Sequence, residues 1–248
     1  MEANKKAACQ CNGMNGEIAT ASSNHEWLLD PLNRAASHVE QMPFFEWLAK
    51  IESPGEFKPA AIQIFHHSSS FPKVIGMMLG VTPIRRGRLY ALYAEHAHEE
   101  ADHHLLLLEW MLQHRILVCA DEAYRMIPTL ETSACVNIGY EFAASADHNG
   151  WIATIGCGIE LCALKFFKAA AKQMHQIGTP HEYFDVHVTA DEHHSTMGLE
   201  YLENTDQEGE RVRLVRKALE GVTLWSSMVH SWIGIPTAPR FGMDGGCI

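Results

Sequence analysis

The chain has 248 residues, 47% of them hydrophobic, and carries a net charge of −11. That length and apolar content suit one large globular domain and exclude a disordered chain. The acidic balance, with no Lys/Arg-rich block, argues against nucleic acid or an anionic membrane surface as partner.

Sixteen His stand out against this background and make metal chemistry the first thing to look for. The seven Cys (Cys9, Cys11, Cys119, Cys135, Cys157, Cys162, Cys247) form no Cys-x-x-Cys and no disulfide-framework spacing, so reduced thiols are expected. The N-terminus, Met1-Glu2-Ala3-Asn4-Lys5-Lys6, lacks the apolar run of a signal peptide. No uninterrupted apolar stretch of about 18 residues is present to span a bilayer. A cytoplasmic protein with no membrane partner is the expectation.

In chain order, residues 1–24 are small and polar and read as a flexible tail, leaving 25–248 as one domain. From Asp30-Pro31 onward the period is helical: Val39, Met42, Phe45, Trp47, Leu48 and Ile51 recur at spacings of three and four, up to Ser53-Pro54-Gly55. A second helix is predicted from about Lys58 to Leu79, kinked or split by Pro72. Thr82-Pro83 opens a third, reaching about His114. Further helices are predicted over Glu131–Ala146, Trp151–Ile177 (with Gly156 and Gly158 permitting close approach or irregularity), Tyr183–Leu202 and Asp206–Ile233. Strand alternation, internal repeats and a Gly-rich phosphate loop are missing, so the pattern predicts an all-α bundle of about seven to nine helices.

Three of these helices carry groups that bind metals. On a helix of about 3.6 residues per turn, His187, Asp191 and His194 fall within roughly 60° of one another. Tyr183, Met197 and Tyr201 extend their stripe, so it faces a core, where two imidazoles and a carboxylate need a partner. Nitrogen and oxygen donors suit Fe, Mn or Zn better than Ca or Mg. Glu160 is the only acid between Asp147 and His181 and is set among Ile155, Ile159, Leu161, Leu164, Phe166 and Phe167. A lone carboxylate in such surroundings must be neutralised, salt-bridged or metal-bound. The third helix holds Glu95-His96-Ala97-His98-Glu99-Glu100-Ala101-Asp102-His103-His104 ahead of four Leu. There Leu92, His96, Glu99 and His103 share one stripe, Glu95 lies on a neighbouring one, and Glu100-x-x-His103 has the spacing that di-iron carboxylate bundles use. Most of the charges in that stretch belong to a solvated face.

Glu then His on one helix, a lone Glu on a later one, then His-x3-Asp-x2-His resembles the haem-oxygenase-like di-iron oxidases, fold relatives of the TenA- and PqqC-type enzymes, over about residues 35 to 232. The resemblance implies a haem-oxygenase-like single domain and a metal set of Glu95, His103, Glu160, His187, Asp191 and His194. CADD-like members space the first Glu and His seven apart, and seven after Glu95 comes Asp102. Either Asp102 replaces the His, or a π-bulge adds a residue and selects His103; His104 is the other candidate His, and Glu99 and Glu100 are the other candidates for the first carboxylate. It further implies two Fe(II) ions, with Mn as the alternative metal, O2 as co-substrate and a small-molecule substrate, an amino acid or a metabolite derived from one. An external electron donor and a homodimer go with that reading. Tyr93, Trp110, Phe167 and Tyr183 are candidates for the pocket wall, and Arg85, Arg86, Arg88 or Lys165 for a carboxylate clamp. The rival readings are a ferritin-like iron-binding bundle and a metal-free TenA- or PqqC-like enzyme.

Overall fold

Helical periodicity in the sequence becomes helix almost everywhere in the computed structural model, which describes residues 25–236 and 239–248. The expected tail, with Cys9 and Cys11, lies outside the described residues. The first helices are α1 (Glu26–Val39), α2 (Pro43–Leu48) and α3 (Lys58–Val81), followed by α4 (Gly87–Glu99) and α5 (His103–Gln113). Then come α6 (Ala120–Arg125), α7 (Leu130–Ser145) and α8 (His148–Trp151). A π-helical segment, Ile152–Ile159, joins α8 to α9 (Glu160–Gln176), and α10 (Glu182–His194) and α11 (Glu208–Trp232) complete the bundle. A single bridge, Phe241 to Cys247, is the only β pairing among the described residues.

Local chemistry accounts for most boundaries. Pro43 starts α2 at a position where its missing N–H costs nothing. Thr82 is extended because Pro83 follows it, and α3 stops at Val81. Pro72, expected to kink or split this helix, is accommodated within one continuous 24-residue element. Thr129 caps α7 by accepting the N–H of Thr132 at 3.1 Å. Asp147 caps α8 by accepting the N–H of Gly150 at 2.9 Å.

Two expected long helices are interrupted. The third breaks at Glu100-Ala101-Asp102, between α4 and α5, with no π-bulge there. The expected Tyr183–Leu202 helix ends at His194, and Gly198 adopts a left-handed φ of 88°, a conformation that favours glycine. The irregularity foreseen at Gly156 and Gly158 is the π segment.

α11 packs on the π segment, α1 and α7, while α3 packs on α7 and α4, and α9 pairs with α10. Gly158 makes the first of these contacts close: a Cβ there would stand 2.9 Å from the carbonyl oxygen of Ala218 in α11. The continuous helix His148–Gln176 has an 18-residue window of mean hydropathy 1.4, long and apolar enough to cross a membrane, but 83% of that window is buried inside the protein, as in a core helix. The thiols of Cys135, Cys157 and Cys162 are free and buried, those of Cys119 and Cys247 free and exposed. Burial pushes the Cys135 and Cys157 thiols up to about 12, so they pack as small apolar groups.

Candidate metal centre

Where α4, α5, α9 and α10 meet, seven polar side chains turn inward. His96 comes from α4, Glu100 from the α4–α5 junction, His103 from the first residue of α5 and Glu160 from the first residue of α9. His187, Asp191 and His194 come from α10, on the stripe their spacing predicts. All seven are at most 5% exposed. Their donor atoms converge in three overlapping triads, His96/Glu100/His194, Glu100/His103/His187 and Glu160/Asp191/His194, with the atoms of each triad within 4.8 Å of one another. That is the spread expected of ligands around one ion at about 2.0–2.2 Å from each.

Glu100 spans the two halves of the cluster. One carboxylate oxygen lies 3.0 Å from His103 Nδ1 and the other 3.8 Å from His194 Nδ1. The paired rings are close, with centroids 4.2 Å apart for His96 and His194 and 4.4 Å for His103 and His187. Two imidazoles are fixed from behind. His187 donates Nδ1–H to the carbonyl of Tyr183 at 2.6 Å and stacks on Phe167, leaving Nε2 for the cluster. His194 sets Nε2 against the Glu99 carboxylate at 2.9 Å, which leaves Nδ1 facing inward. An acceptor behind a histidine ring selects its tautomer and raises its basicity as a metal ligand.

Burial and neighbouring charges pull the groups of the cluster in opposite directions. Burial raises the Asp191 carboxyl well above the ordinary range, and the nearby Glu160 and Glu100 add to the rise. Burial lowers His187 to about 4. Burial acts against the charged Glu100 as well, but its hydrogen bond with His103 and the charges of His187, His103 and His96 win and hold it at about 2. His103 is raised: burial opposes its charge, and the hydrogen bond to Glu100 together with the charges of Glu100, Asp102 and Glu99 more than offsets that.

The residues fit a metal. His96 Nε2, Glu160 Oε1, Asp191 Oδ2 and His194 Nδ1 are all buried without a hydrogen-bond partner. Buried polar atoms are rarely left unpaired, and four in one place, all with lone pairs to give, describe a cation site. Imidazole and carboxylate donors suit Fe, Mn or Zn.

Five of the six expected ligands are brought together: His103, Glu160, His187, Asp191 and His194. Glu95 is not. It is exposed on α4, because a step of about 100° per residue carries it to the solvent side of buried His96. Glu100, from the α4–α5 junction, stands in the cluster instead. Asp102 is exposed, and half-buried His104 packs towards Phe65, outside the cluster. His96 joins the cluster from the stripe it shares with His103, seven residues on.

Beside the cluster lies a cavity of about 50 Å³ whose wall includes His67, Phe71, Phe166, Phe167, Trp225 and Trp232 and reaches Glu100, Glu160, His187 and Asp191. Of the expected wall residues, Phe167 lines it; Tyr93 lines a smaller hollow beside His96 and His194 instead, and Trp110 is fully buried core. Tyr183 backs the site, its hydroxyl 3.1 Å from that of Ser68. Among the described residues neither Lys nor Arg lines the cavity. The expected clamps Lys165 and Arg86 face Glu40 at 3.1 Å and Glu203 at 3.0 Å.

The all-helical bundle and its buried His/carboxylate cluster define a haem-oxygenase-like protein. A crystal structure of a domain of unknown function with a heme oxygenase-like fold from Shewanella denitrificans OS217 is similar to it, with a TM-score of 0.58, 15% sequence identity, and 90% of this chain and 93% of that chain covered. The model of the iron-containing redox enzyme family matches residues 58–226, well over half the sequence, and the chain belongs to that family. No curated protein sequence matches it.

Proposed function

We propose that the chain is an O2-dependent non-haem di-iron oxidoreductase acting on a small molecule, with an amino acid or a metabolite derived from one as the substrate class. The observation that carries this reading is the convergence of four unpaired buried donor atoms in a set of four imidazoles and three carboxylates. A single ion takes about four to six ligands, so seven donors in overlapping triads call for two. Once bound, two Fe(II) ions would supply the electrons and the site for O2 reduction.

The chain's own residues supply the rest. Glu99 and the Tyr183 carbonyl hold His194 and His187 in the tautomers that present a lone pair inward. Phe166, Phe167, Trp225 and Trp232 keep bulk water away from the cavity side, which strengthens every charge interaction inside. His67, on the same wall, is lowered by burial more than the nearby Glu160 and Glu100 raise it, so at neutral pH it faces the cavity as an uncharged hydrogen-bonding group.

Fe(II)-loaded protein, unlike metal-free protein, should consume O2, and some member of an amino-acid panel should perturb its optical spectrum. No perturbation by any amino acid would remove that substrate class. Uptake of many irons per chain without substrate-linked O2 consumption would favour the ferritin-like reading instead.

A further inference from the structure

We infer that His96 is itself a metal ligand, a fourth imidazole that makes the two metal positions unequal. The inference rests on the di-iron reading above. His96 is 3% exposed, its ring is 4.2 Å from that of His194, and a ring nitrogen of it shares a triad with Glu100 and His194. Its Nε2 stands 3.6 Å from Glu160 Oε1.

The simpler account makes His96 an imidazolium that neutralises Glu160. At 3.6 Å, however, both atoms remain without a hydrogen bond while fully buried, and an ion pair that leaves its own polar atoms unsatisfied costs more than it returns. A cation bound by both atoms satisfies both at once. His96 and His194 share a hollow closed by Tyr93, Trp151, Ile152 and Met197, while Glu100, Glu160, His187 and Asp191 line the aromatic cavity. His194 is common to the triad that holds His96 and the triad that holds Glu160 and Asp191, so one position draws on these four; the other draws on His103 and His187, with Glu100 reaching both. The second position has fewer donors of its own.

The test is an anaerobic titration of the metal-free full chain with Co(II), read by the visible bands of the bound ion, for wild type, His96→Gln and His96→Ala. Wild type should take up two ions in two resolved steps. In both variants the tighter step should weaken more than about tenfold, its bands should shift, and added imidazole should restore them in His96→Ala. Unchanged affinity and bands in His96→Gln would overturn the inference and leave the di-iron reading intact. No Co(II) bound by wild type would overturn both. His96→Gln keeps the bulk and polarity of the side chain, and the melting temperature of the metal-free variant shows that it is folded; should His96→Ala not fold, His96→Gln alone decides.

Discussion

Asp191 is the side chain most at odds with a metal-free interior. It is 1% exposed, has one oxygen without a partner, and is pushed towards its neutral form by burial and by Glu160 and Glu100. Replacing the carboxyl with an amide removes that cost from the metal-free protein and would deprive a bound metal of a donor. Asp191→Asn should raise the melting temperature of the metal-free chain by about 2–4 °C, roughly 1 kcal/mol at this size, and abolish the further rise on adding Fe(II). Differential scanning calorimetry with and without metal reads both signs. Glu99 would act on a bound metal through His194, whose Nε2 it holds, so Glu99→Gln should weaken metal binding about 10–100-fold while leaving the metal-free melting temperature unchanged. Glu95→Gln, on the solvent side of the same helix, should change neither.

At this scale the sequence was legible where spacing alone decides. His187, Asp191 and His194 could only share a face, and Glu160 had no other acid near it in its helix. The first carboxylate was harder, because Glu95, Glu99 and Glu100 differ by helical phase. That phase is set by packing of α4 against α3, to which local spacing is blind.

Among the elements, the segment leading into Glu160 is the most constrained. Asp147 caps α8, the π segment follows, and Gly158 lets it approach α11. Arg213 of α11 ties this start in place, donating to Asp147 at 2.6 Å and twice to Glu210 at 2.8 Å. Its hydrogen bonds, before burial and Asn149, set the Glu210 carboxyl, which ends below the ordinary range. A depressed carboxyl contributes stability that is present at neutral pH and lost as pH falls through the ordinary carboxylate range towards its folded value. Arg213→Ala should therefore cost at most about 1 kcal/mol at neutral pH, given the partial exposure of the group, and the difference from wild type should shrink on acidification. Melting temperatures from pH 7 down to 3.5 check this; a difference that grows towards low pH would contradict it.

Most helices were readable from period and from Pro, Gly and Thr punctuation. The break between α4 and α5 was not, since Glu100-Ala101-Asp102 contains neither Gly nor Pro. Past the end of α10, Gly198 is the residue whose left-handed backbone keeps the helix from continuing. The π segment was only hinted at, by two glycines whose role depends on how closely α11 comes.

Taken whole, the molecule is a helical scaffold holding seven buried imidazole and carboxylate groups that a cation would satisfy together. A cation there would tie α4 and α5 to α9 and α10, two helix pairs far apart in sequence. The most direct measurement is the number of Fe(II) ions bound per chain under anaerobic conditions, followed by O2 uptake of the loaded protein. The account predicts about two per chain, prompt O2 consumption, and loss of at least one iron in His194→Ala. No iron bound, or iron bound without any reaction with O2, would contradict it.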